Sequence, residues 1–72
     1  MSKKRNNKNL DINSNWTSQK QIRGWKHFRI SGRAYQNGIL QIELMAVCDR
    51  DVTIWIDASN LAKNDQWQPG WL

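Results

Sequence analysis

From Lys26 to Cys48 the chain reads KHFRISGRAYQNGILQIELMAVC, and the reading of this stretch decides the fold. Two runs, Lys26–Tyr35 and Ile39–Cys48, flank Asn37-Gly38. Both have the short alternating character of half-buried strands. Asn-Gly is a strong hairpin signal, because both residues tolerate the positive φ that tight hairpin turns need. A third β-type run, Val52–Asp57, follows after Asp49-Arg50-Asp51. The pattern predicts a three-stranded antiparallel meander.

Register determines which side chains meet. A two-residue turn at Asn37-Gly38 pairs Tyr35 with Leu40 and sets Phe28 opposite Val47, whereas a three-residue loop Gln36-Asn37-Gly38 pairs Tyr35 with Ile39. A one-residue slip exchanges the two faces of a strand, so consistency of facing discriminates between them. Leu40, Ile42, Leu44, Ala46 and Cys48 share one side of the second run, and Val52, Ile54 and Ile56 share one side of the third. A three-residue loop at Asp49-Arg50-Asp51 puts these rows on one face. The three-residue loop at Gly38 adds Phe28, Ile30, Gly32 and Ala34 to it. That register is the expected one. It assigns Trp25, His27, Arg29, Ser31, Arg33 and Tyr35 to the opposite face, with Ile39, Gln41, Glu43, Met45 and Val47, and Thr53, Trp55 and Asp57. Its cross-strand rows are His27–Val47–Thr53, Arg29–Met45–Trp55 and Ser31–Glu43–Asp57.

Outside this centre the signals are weaker. Leu10–Gln21 is polar with scattered apolar residues and is expected to be an irregular lead-in. Ser59–Lys63 has the composition of one helical turn, with Ser59 or Asp57 as its N-cap. Asn64-Asp65 is a turn, and Gln66–Leu72 is an extended end bent by Pro69-Gly70. The expected fold is therefore mainly all-β. It is either a small SH3-like barrel, with the region around Trp16 as the remaining edge strand, or the three-stranded meander with a short helical turn and Trp-rich ends packed on it.

A chain of 72 residues forms one small domain near the lower size limit for folding without staples. The single cysteine, Cys48, excludes an internal disulfide, and with the lone His27 it cannot supply a four-ligand zinc site. No metal and no cofactor are expected. Apolar packing must hold the domain, and the five tryptophans, Trp16, Trp25, Trp55, Trp67 and Trp71, offer the largest burial per residue. No apolar run approaches the roughly 20 residues of a membrane span. The basic N-terminus lacks the apolar stretch of a signal peptide, so a cytoplasmic location with no membrane contact is expected.

Charge divides the chain into a tail, residues 1–9, and a domain, residues 10–72. The formal net charge is +5, of which Lys3, Lys4, Arg5 and Lys8 in the tail contribute +4. The domain is nearly neutral. The Asn-rich tail is polar and charged after Met1, cannot bury apolar surface, and is expected to be disordered when free. It serves either as a solubilising end or as an arm that touches phosphates or an acidic partner.

The face opposite the main apolar row is where binding is expected. Trp55 lies there mid-strand with Arg29 and Met45, and an Arg29 guanidinium stacked on Trp55 is the expected arrangement. Arg33 and Tyr35 border the Gly38 turn as candidates for contact with a partner, and Trp25 opens the first strand. Trp16, Trp67 and Trp71 belong to the two ends and are expected to be structural, folding over this face as a small second core. His27 is expected to be a hydrogen-bonded structural residue. Cys48, on the apolar face, is expected to be an inert thiol.

The elements Ser14-Asn15-Trp16-Thr17, Lys26-His27-Phe28, Leu44-Met45-Ala46-Val47, Trp55, Leu61 and Trp67-Gln68-Pro69-Gly70-Trp71 together resemble a family of small tryptophan-rich bacterial proteins of unknown function. That family is found chiefly in cyanobacteria and some proteobacteria. The resemblance covers roughly Ser14 to Trp71, with Gln21 standing where its pattern leads one to expect a proline. It implies a shared fold and no activity.

An enzyme is the least supported class. The sequence holds no Gly-rich phosphate loop, no nucleophile elbow and no paired acids with an obvious cleft. No small-molecule substrate is expected. A nearly neutral domain with surplus Trp, Arg and Met has the composition of protein-interface hot spots. The expected function is that of a protein-interaction module docking on a larger assembly. A nucleoprotein machine of transcription or translation suits both the basic tail and the domain. The alternative is an RNA- or DNA-binding module that uses the basic arm and aromatic stacking.

Overall fold

A computed structural model describes residues 10–62 and 66–71. The residues expected to form the basic tail (1–9) lie outside the described residues, as do the expected Asn64-Asp65 turn, Lys63 and Leu72. The described chain forms β1 (Asn15–Ile22), β2 (Trp25–Gln36), β3 (Ile39–Ala46), β4 (Asp49–Asp57), α1 (Ala58–Ala62) and β5 (Trp67–Pro69). The strands make one antiparallel sheet in the order β4-β3-β2-β1-β5. The protein is thus mainly β, and among the described residues its sheet is not closed into a barrel.

The expected irregular lead-in is a strand. β1 lies inside the sheet, pairing with β2 through Trp16↔Phe28 and with β5 through Ser18↔Trp67. It reads as polar because its inward side carries a serine. Ser18 is fully buried; its Oγ donates to the Lys20 carbonyl at 2.7 Å and accepts from Gln66 Nε2 at 3.2 Å. With both partners in place, a buried hydroxyl costs little.

The Asn37-Gly38 turn corrects the expected register. Both residues have positive φ, 54° and 80°, as a two-residue hairpin turn of the primed type requires. Gln36 therefore pairs with Ile39 and Tyr35 with Leu40. The facing argument is satisfied by a bulge: Gly32 pairs with Glu43 but Ile30 with Leu44, leaving Ser31 as the extra residue. Phe28 and Ile30 thus stay on the core face, opposite Ala46 and Leu44. Beyond the bulge the faces exchange. Gly32 and Ala34 move to the outer face opposite Glu43 and Gln41, and Arg33 and Tyr35 move to the core side opposite Ile42 and Leu40.

The β3–β4 connection also differs from expectation. The turn falls at Val47-Cys48, Ala46 pairs with Asp49, and the ladder then jumps to Met45↔Thr53. The main ladder is offset by two residues from the expected one, which preserves the faces and changes every neighbour. Trp55 therefore lies opposite Glu43, Thr53 opposite Met45 and Asp57 opposite Gln41. Cys48 is exposed on the turn and does not join the apolar face.

One core forms on the inner face from Trp16, Phe28, Ile30, Ile42, Leu44, Ala46, Val52, Leu61 and Trp67. Leu61 fixes α1 to it. Trp67 meets Phe28 edge to face, with ring centroids 5.5 Å apart. Each of the core Val, Leu, Ile and Phe side chains contributes about 1.5–3 kcal/mol on burial. The expected second core is not formed: Trp16 and Trp67 enter the main core at 3 % and 4 % exposure, and Trp71 alone of the three lies on the outer face, against His27 and Arg29.

Candidate interaction face

The outer face is built by alternation. Positions that send Phe28, Leu44 and Ile54 inward send Arg29, Met45 and Trp55 outward. Arg29 and Met45 are cross-strand partners, as expected. Trp55 is displaced from that row by the β3–β4 offset and is 50 % exposed. The guanidinium carbon of Arg29 lies 5.5 Å from the ring centroid of Trp71, so Arg29 stacks on Trp71 and not on Trp55 as expected.

Trp71 is held where it lies. Gly70, with φ 88°, turns the chain after β5; its N–H donates to the Asn15 carbonyl and its own carbonyl accepts from Thr17 Oγ1 at 2.7 Å. Trp71 Nε1 then donates to the Phe28 carbonyl at 3.2 Å, and its ring lies edge-on to His27 at 6.4 Å. The ring stays 43 % exposed. Beside it, Thr17, Ser18, Gln19, Lys26, His27 and Gln68 line a groove of about 370 Å³.

A second group gathers at the other end of the sheet, where the β2–β3 hairpin projects. Tyr35 is 73 % exposed there, and Ile12 and Ile39 are each about half exposed. Ala34, Tyr35, Gln36, Gln41 and Trp55 line a shallow groove of about 480 Å³, and Ile12, Arg33, Ala34, Tyr35 and Leu40 line another of about 360 Å³. Ala34 and Tyr35 belong to both, so the hairpin end is a ridge between two apolar grooves. Next to Trp55, Glu43 accepts a hydrogen bond from Ser31 Oγ at 3.2 Å, and Asp57 accepts one from Gln41 Nε2. These bonds hold the polar neighbours of the ring in place.

The six expected partner-contact residues therefore divide. Trp55 and Tyr35 share the hairpin groove, while Arg29 and Met45 lie toward Trp71. Arg33 has crossed to the core side, 4.0 Å from Asp11. Trp25 is half-buried and packs against the core. Ile12, Ile39 and Trp71 were not singled out for contact by sequence reasoning. Only for Ile39 was there a signal: its place directly after the Gly38 turn, where neighbouring strands give little cover.

Among the described residues, no group of three or more His, Cys, Asp or Glu side chains could hold a metal ion. No helix among them is long and apolar enough to cross a membrane. No curated protein and no solved structure matches the chain. A family model described as tryptophan-rich protein (DUF2389) matches residues 14–72, from the start of β1 past Trp71, with the basic tail outside the match. The chain belongs to this tryptophan-rich family, whose function is unknown.

Proposed function

We propose that the protein is a non-enzymatic interaction module, acting in the cytoplasm, that docks on a larger assembly through the hairpin end and Trp55. The observation that carries this reading is the gathering of Trp55, Tyr35 and Ile12, all about half exposed or more, around two adjoining grooves, with the half-exposed Ile39 paired to Gln36 on the same hairpin. Large apolar side chains left in water by a chain with so small a core are costly unless a partner covers them. Aromatic residues flanked by fixed polar groups are the composition of interface hot spots. A nucleoprotein assembly of transcription or translation fits best, because the tail residues Lys3, Lys4, Arg5 and Lys8 bring charge suited to nucleic acid beside a domain suited to protein.

Affinity capture from native lysate, with and without nuclease, tests the reading when wild type is compared with Trp55→Ala and Tyr35→Ala. Both residues are exposed, so both variants are expected to fold. The expected result is a nuclease-resistant protein partner whose recovery drops about tenfold or more in each variant, the loss of one hot-spot residue. Equal recovery by all three proteins would remove the hairpin end as the docking surface.

A further inference from the structure

The near neutrality of residues 10–72 conceals a separation of charge that the strand order makes spatial. β1, β2 and their turn carry Lys20, Arg23, Lys26, Arg29 and Arg33 and no acidic residue. β3, β4 and their turn carry Glu43, Asp49, Asp51 and Asp57 against Arg50 alone. In the order β4-β3-β2-β1-β5, one half of the sheet is basic and the other acidic. Lys20, Arg23 and Lys26 are exposed, and among the described residues none of them has an ion-pair partner. The exposed Trp71 ring, backed by Arg29, stands on this basic half and adjoins, through His27, the groove lined by Gln19, Lys26 and Gln68.

We propose that this half of the sheet binds single-stranded RNA, with a base stacked at Trp71, phosphates on Lys20, Arg23 and Lys26, and sugar hydroxyls and base edges at the groove. These exposed cations supply the sequence-independent attraction to a phosphate backbone. An anchored indole supplies a platform that only an unpaired base can use, which disfavours a duplex. The acidic side chains of a peptide would satisfy the lysines but offer no aromatic ring to stack on the indole. The neutral amides of Gln19 and Gln68, which line the groove with His27, suit base edges and the 2′-hydroxyl, the group that separates RNA from DNA. The Trp55 grooves lie on another part of the sheet, so this site and the protein-docking reading stand or fall separately.

The test uses the full chain and a fluorescently labelled oligouridylate of about 12 nucleotides, within the usual footprint of small stacking sites. Anisotropy is read across a salt series. Wild type is expected to bind with an affinity that falls with salt. The Lys20→Gln/Lys26→Gln pair is expected to lower the slope of log K against log salt by roughly 0.7 for each lysine, while the basic tail stays intact. Trp71→Ala is expected to weaken binding about 5- to 150-fold with the slope unchanged, the loss of one stacked base. A slope unaffected by the lysine pair would overturn the proposal, because the tail alone would then hold the phosphates. So would oligothymidylate binding as tightly as oligouridylate, or polyglutamate of matched charge binding equally well and losing as much on Trp71→Ala. The lysines are exposed, so their slope decides the matter even if Trp71→Ala fails to fold, a point checked by circular dichroism.

Discussion

Trp67 and Trp71 are four residues apart in the sequence and occupy opposite environments, and the residue between them that matters is Gly70. Its left-handed backbone, pinned to β1 by bonds to Asn15 and Thr17, sends the chain from the core face to the outer face. The two tryptophans should therefore answer mutation differently. Trp67→Ala removes a buried ring packed on Phe28 and is expected to cost about 3–5 kcal/mol. In a domain of this size that lowers the thermal midpoint by roughly 15 °C or more. Trp71→Ala removes a half-exposed ring and one hydrogen bond to the Phe28 carbonyl, and is expected to cost about 1 kcal/mol. Thermal unfolding followed by circular dichroism measures both. A larger loss for Trp71 than for Trp67 would contradict the assignment of Trp67 to the core and Trp71 to the surface.

At the scale of elements, the ends of β3 and β4 give the sharpest test of register. With the turn at Val47-Cys48, the thiol of Cys48 projects into solvent. With a turn at Asp49-Arg50-Asp51 it would lie in the row of Ala46 and Leu44. Ellman's reagent is accordingly expected to modify Cys48 in the native protein about as fast as in the denatured chain. A rate limited by unfolding would restore the other register. Much of this sheet is legible in the sequence: the three runs, the Asn37-Gly38 turn, the helical turn at Leu61 and the inward row of Ile42, Leu44 and Ala46 all follow from period-two patterning and turn chemistry. What is not legible has specific causes. A facing argument assumes an unbroken ladder, so it trades the two-residue turn for a longer one instead of admitting the bulge at Ser31. An offset of two residues keeps every face, so patterning cannot detect it, yet it decides whether Trp55 meets Met45 or Glu43. β1 hides because Ser18 and Thr17 are buried through hydrogen bonds and not through apolar character. These are the features that assemble the candidate surfaces, which is why the fold reads more easily than the site: Tyr35 and Trp55 come to one groove, and Arg29 to Trp71, only through the bulge, the offset and the Gly70 turn.

Across the whole molecule, one sheet uses the middle of its inner face for stability and leaves its outer face and the hairpin end, where Tyr35 stands on the core side, for contact. The inner face takes Trp16 and Trp67, and the outer face keeps Trp55 on the acidic half and Trp71 on the basic half. Stability and binding charge are then separable, and the tail tests the separation. Residues 1–9 carry four of the five net positive charges and precede the family match, which starts at Ser14. Their composition offers nothing for a core, so deletion of residues 2–9 is expected to leave the thermal midpoint unchanged while weakening binding to a polyanion. Every phosphate that the tail neutralises adds roughly 0.7 to the salt slope on single strands, so deletion should lower the slope by no more than about 3. The deletion should also add to the effect of Lys20→Gln/Lys26→Gln in log K, since each neutralised phosphate contributes its own increment of counterion release. Capture of a protein partner through Trp55 should persist in the deleted chain. Thermal unfolding, oligouridylate anisotropy and affinity capture on the same deletion variant measure the three outcomes. A midpoint lowered by several degrees would mean that the tail takes part in the fold, and loss of Trp55-dependent capture would mean that the partner is reached through the tail.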